Sequence, residues 1–170
     1  MLESVTGVHH NEQNSAIDGC SIPTYGIPLN RLAYAFARFG VGLDASQSRS
    51  NAMIRLRDAC TSHPEMVAGT DRVCTKLMIA LNGRIFVKVG AEGVYTAAIP
   101  ELGVGIALKA LDGNAMAVEV AIAWLAQHMI DLSVDEKETL APLVHPVLKN
   151  WNKMEIGEIR VSPELDEFWW

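Results

Sequence analysis

The chain has 170 residues, 49% of them apolar and 20% charged, with 13 glycines and seven prolines. That composition excludes a disordered, collagen-like or disulfide-stapled protein. Twenty carboxylates against fourteen Lys and Arg give a formal charge of −6 with no basic cluster, so the footprint of a nucleic-acid binder is missing.

Three cysteines without a Cys-x-x-Cys pair point to reduced thiols and a cytoplasmic setting. The leading residues lack the basic and apolar regions of a signal peptide. No uncharged apolar run reaches the roughly 18 residues that span a bilayer, so no membrane partner is expected. The length suits one domain over residues 1–170.

Residues 1–27 are polar and aperiodic, and read either as a frayed tail or as a segment that belongs against structure outside these residues. A first helix starts at Pro28 and is expected to stop at Gly40, with Leu29, Leu32, Ala33 and Phe36 on one face and Arg31, Tyr34 and Arg38 on the other. Residues 51–60 form a second helix with Met53, Ile54 and Leu56 inward. Thr70 or Asp71 caps a short third one over residues 73–81.

From Asn82-Gly83 onward the period changes to that of strands. Residues 84–89, 92–100 and 104–111 are β-rich runs joined by short Gly- or Pro-containing turns, as in an antiparallel meander. Asp112-Gly113-Asn114 opens a long helix over 115–129, polar only at Glu119, Gln127 and His128, which must be buried on most sides. A further helix over 135–144 ends near Pro146, and residues 156–162 supply a last strand. This order predicts an α+β fold, an antiparallel sheet flanked by helices, and no Gly-x-Gly-x-x-Gly or phosphate loop supports a nucleotide-binding wind.

Lys88 near the end of the first β-run has two readings. It is an edge lysine that guards against aggregation, or a desolvated base aimed into a cleft beside Gly90 and Gly93. Cys20 and Cys74 are 54 positions apart, a spacing that announces no metal, and a buried cysteine is ordinarily a small core hydrophobe. Asp18 beside Gly19 reads as a turn residue, Cys60 as packed. The five histidines (His9, His10, His63, His128, His145) are scattered and form no HExxH-type pair. Trp124 and Trp151 read as packing residues, while Trp169-Trp170 would dock on the domain or a partner.

Three blocks in order, DGCSIPTYGIPLNRLAYAFARF, HPEMVAGTDRVCTKLM and GRIFVKVGAEGVYTAAIPELGVGIALKALDG, give the stretch from Val5 to Met129 a specific likeness. It resembles the C-terminal half of the rhizobial-type L-asparaginases, the asparaginase II family, whose fold is similar to the serine β-lactamases and penicillin-binding proteins. The resemblance implies an amidohydrolase that turns L-asparagine into L-aspartate and ammonia, and apolar surface normally covered by the other half would favour a homodimer or other homo-oligomer. It places Asp18 and Cys20 at the active-site rim. Lys88 falls on the lysine that partners a catalytic serine, and Cys20 and Cys74 fall on zinc-binding thiols. Val89 stands where the β-lactamase Lys-Thr-Gly box carries a hydroxyl. None of the nine serines or seven threonines begins a Ser-x-x-Lys-type motif, and the third zinc ligand is likewise absent. The likeness therefore implies a missing N-terminal half, or else a non-catalytic remnant that self-associates or binds metal.

Overall fold

The computed structural model describes residues 1–44 and 46–168. In chain order its elements are α1 (Leu2–Thr6), β1 (Ser15–Ile17), β2 (Pro23–Tyr25), α2 (Leu29–Val41), α3 (Gln47–Ser62), α4 (Pro64–Ala68), α5 (Val73–Ala80), β3 (Phe86–Val89), β4 (Val94–Ile99), β5 (Val104–Lys109), α6 (Ala115–Met129), α7 (Val134–Val144), β6 (Val147–Lys149), β7 (Glu155–Glu158) and α8 (Pro163–Phe168). The architecture is mixed α+β with small antiparallel sheets, as the sequence predicts.

The central sheet has the order β3-β4-β5, antiparallel throughout, with Lys88 opposite Thr96 and Ala98 opposite Gly105. Strand alternation sends Phe86, Ala98 and Gly105 to one face, where α2 lies. There Phe86 stacks on Phe36 at 6.1 Å between ring centroids and meets Phe39 edge-on at 5.2 Å. The helix sits so close that a Cβ on Gly105 would overlap the carbonyl oxygen of Ala33 and the amide nitrogen of Ala37. The opposite face, carrying Val87, Tyr95, Ala97 and Ile106, is covered by α5 and α6. Leu77, Met78 and Ile122 close the core there. The long apolar helix α6 is buried over most of its length, as its composition requires.

Several boundaries differ from the sequence reading. Gly40 does not end α2. The helix runs to Val41, and Gly42, left-handed at φ 68°, returns its N–H to the carbonyls of Arg38 and Phe39. Gly40 serves packing instead, because a Cβ there would lie 2.9 Å from that of Ala98. Helix α3 begins at Gln47, four residues before the expected start, and Leu56 points outward, 60% exposed. The N-cap of α5 is Arg72, which makes no side-chain capping bond, so neither Thr70 nor Asp71 fills that role.

The leading segment is not a frayed tail. It carries α1 and the β1–β2 hairpin, and Arg38 ties it down by donating to the backbone carbonyls of Ser4 and Val5. Asp44, its side chain only 1% exposed, accepts Arg49 at 3.0 Å and lies 3.6 Å from Arg38. Near the C-terminus, residues 147–149 pair with 155–158. Trp151 at the tip of that hairpin is fully exposed rather than packed, whereas Trp124 is buried as expected. Trp169 and Trp170 lie outside the described residues.

Ser133 and Glu136 form a reciprocal capping box at α7. The Ser133 backbone N–H holds the Glu136 carboxyl below its ordinary range, with Arg84 adding to the effect. Ser133→Ala is expected to cost about 1 kcal/mol of stability, read as a lowered denaturation midpoint. Because the folded Glu136 titrates low, its contribution is present above the ordinary carboxylate range near pH ~4.3 and is lost as the pH falls. Glu136→Gln should therefore flatten part of the acid limb of the stability profile.

Candidate functional site

Strand β3 is an edge strand of the central sheet. Gly90 donates its N–H to Val94 on β4, so by alternation the N–H and C=O of Val89 point away from the sheet. An edge of this kind is a row of unpaired donors and acceptors. Here both Val89 groups are taken by side chains. The Val89 N–H donates to Cys74 Sγ at 3.3 Å, and the Val89 carbonyl accepts Lys88 Nζ at 2.7 Å. Lys88 and Cys74 come from different elements and from opposite sides of the sheet, yet they meet on one residue at its open edge.

Cys74 is 1% exposed, on α5, and Lys88 is exposed. The Cys74 thiol also shares a 2.8 Å hydrogen bond with the hydroxyl of Tyr95, which sits opposite Val89 on β4 and is fully buried. Burial, with the bond to Cys74 adding to it, pushes the Tyr95 hydroxyl far above its ordinary range, so it keeps its proton. Thr96, buried and opposite Lys88, donates its Oγ1 to the Lys88 carbonyl at 3.1 Å. Lysine, threonine, tyrosine and thiol thus gather at the C-terminal end of β3.

Asp18 and Cys20 are brought together elsewhere, in the turn between β1 and β2. The Asp18 carboxylate accepts the Gly19 N–H at 2.8 Å and lies 3.5 Å from Cys20 Sγ, and Ser21 completes the turn at φ 68°. Asp18 thereby holds the turn, and both side chains are exposed. Among the described residues no hydrogen bond or ion pair joins this turn to Lys88 or Cys74.

Zinc prefers four tetrahedral donors. Among the described residues no group of three or more His, Cys, Asp or Glu is arranged to hold a metal. Cys20 has only Asp18 beside it, and the Cys74 sulfur is already engaged by Val89 and Tyr95. The donors among the described residues do not fit such an ion by themselves. Cys60 is half-buried and packed against the core, as expected.

Tyr95 and Thr96 are the residues that sequence reasoning missed. The signal was the register. Pairing the two β-runs across the Ala91–Gly93 loop places Tyr95 opposite Val89 and Thr96 opposite Lys88.

Helices on both faces of an antiparallel sheet, with a lysine and a buried thiol meeting at its open edge, describe a mixed α+β protein with a polar corner built on one strand. A family model described as L-asparaginase II matches residues 1–161, and the chain belongs to that family. The match extends beyond the three sequence blocks at both ends. At family level the chain is an asparaginase-like amidohydrolase. No curated protein matches its sequence.

Proposed function

We propose that this chain takes part in hydrolysis of the side-chain amide of L-asparagine, giving L-aspartate and ammonia, together with a segment that carries a Ser-x-x-Lys motif. The family match over residues 1–161 carries the reading, and the meeting of Lys88 with Cys74 at Val89 supports it. In the assembled site the serine oxygen, losing its proton to the motif lysine, attacks the amide carbon. The nitrogen leaves as ammonia after taking up a proton, and water then cleaves the acyl ester to release aspartate. Lys88 is the base that tunes a second serine, and Asp18 and Cys20 line the rim. The three-stranded sheet and its helices belong, in this reading, to a larger serine β-lactamase-like domain acting in the cytoplasm.

Zinc near this corner would have to draw donors from outside this chain, beside Cys20 and Cys74, and no step above passes through it. The alternative is a non-catalytic subunit that self-associates, favoured by the absence of any Ser-x-x-Lys motif from the 170 residues.

Ammonia release from asparagine tests the reading, with the chain alone and mixed with the N-terminal half of a family enzyme. Activity in the mixture and not in either part is the expected result. A mixture that binds but releases no ammonia favours the non-catalytic subunit. In the same preparations, zinc well below one equivalent is expected for the chain alone.

A further inference from the structure

We infer that Cys74 and Tyr95 are a positioning pair that acts through the backbone of Val89 to hold Lys88 at the open edge of β3. This rests on the proposed role of Lys88, and it assigns Cys74 a task other than ligating metal.

The two edge groups of Val89 are the link. Its N–H has no strand partner, and Cys74 Sγ accepts it at 3.3 Å. Its carbonyl, on the same side of the strand, accepts the Lys88 ammonium at 2.7 Å. A peptide donor at a sheet edge normally finds water, which lets the strand end fray. A buried sulfur in its place fixes the strand end without exposing it. Sulfur is a weak acceptor on a side chain that still has its own rotamers. The Tyr95 hydroxyl at 2.8 Å supplies the second anchor, and Tyr95 itself is locked by complete burial in the core between sheet and helices.

The order of support runs from the core outward: Tyr95 orients the Cys74 sulfur, the sulfur holds the Val89 amide, and the Val89 carbonyl receives the Lys88 ammonium. Thr96 adds a second restraint by bonding the Lys88 carbonyl. Two different strands and one helix thus converge on a single lysine. Packing alone does not require this arrangement, since an apolar side chain at 74 would fill the same space and leave the Val89 donor unpaired. Losing that partner costs more than losing a solvated hydrogen bond, because the donor lies against a buried side chain.

The test uses the full chain with Tyr95→Phe, Cys74→Ala and Cys74→Ser, after circular dichroism shows each folded. Tyr95→Phe keeps the ring and its packing, so it remains informative if Cys74→Ala does not fold. Amide hydrogen exchange by NMR is the first readout. Val89 should exchange at least tenfold faster in Tyr95→Phe and Cys74→Ala, with the core amides of Ala97 and Ile106 unchanged. Cys74→Ser, whose oxygen also accepts the amide, should recover most of the protection. Unchanged Val89 exchange in both Tyr95→Phe and Cys74→Ala overturns the inference, and so does a uniform loss of protection across the sheet.

The second readout separates this inference from the catalytic reading. In the complemented enzyme, Tyr95→Phe should lower kcat about tenfold or more with little change in KM, and Cys74→Ser should restore it. If the Val89 amide responds as expected while the wild-type mixture has no activity, the positioning pair stands and the asparaginase reading of Lys88 falls. If the mixture is active and the variants leave both kcat and Val89 unchanged, the positioning pair falls and the catalytic reading survives.

Discussion

Gly105→Ala is expected to destabilise the protein by about 4 kcal/mol or more, among the largest effects a single methyl group produces. The new Cβ would overlap main-chain atoms of α2 at Ala33 and Ala37, and lie 3.0 Å from the Ala33 carbonyl carbon. No rotamer change relieves a clash with main chain, so the helix must lift off the sheet. That movement would also pull Phe36 and Phe39 from Phe86 and break the layer beside β3. For a chain of this size the loss corresponds to a melting temperature lower by about 8–16 °C. Gly19→Ala is the control, with nothing within 4 Å of the added carbon and an expected change within about 0.5 kcal/mol. A Gly105→Ala protein that melts within about 2 °C of wild type would mean that α2 does not approach β5 this closely.

Lys88→Ala in the complemented enzyme should lower kcat by about 10²- to 10⁴-fold, the span expected for losing a positioned proton-transfer group. The side chain is exposed and its bond is to the adjacent carbonyl, so thermal stability should move little. That separation makes the result easy to read. A large loss of activity with an unchanged melting curve supports a role in the chemistry. Full activity in Lys88→Ala would return the residue to the plainer task of guarding an edge strand.

Much of the core was legible because it follows simple periods. The three β-runs show strand alternation bounded by Gly and Pro, and α6 is so apolar that burial was unavoidable. The leading segment was not legible, since β1 and β2 are three residues each and expose nearly all their side chains, leaving no hydrophobic pattern to detect. Gly40 and Gly42 lie two residues apart, and composition cannot tell which one ends the helix. Leu56 and Trp151 were placed inside on residue type alone, whereas α3 buries only Ser50 and Met53 and Trp151 sits at the tip of a hairpin.

The corner at Val89 shows the same limit at the level of the site. Lys88 and Cys74 are brought to one site only by the family resemblance, because 14 positions of chain carry no information about their meeting. Tyr95, which joins them, needed strand register. The resemblance places Asp18 and Cys20 together at a rim, and the structure keeps them in one turn. Their link to Lys88 depends on the wider assembly proposed above.

Arg38 grips the leading segment by main-chain oxygens of Ser4 and Val5, not by their side chains. That grip does not depend on the side chains at positions 4 and 5, while the Ser4 hydroxyl makes a hold of its own by accepting Arg49 at 3.0 Å. Homologues should therefore vary Val5 more readily than Ser4 or the arginine that fastens the strap.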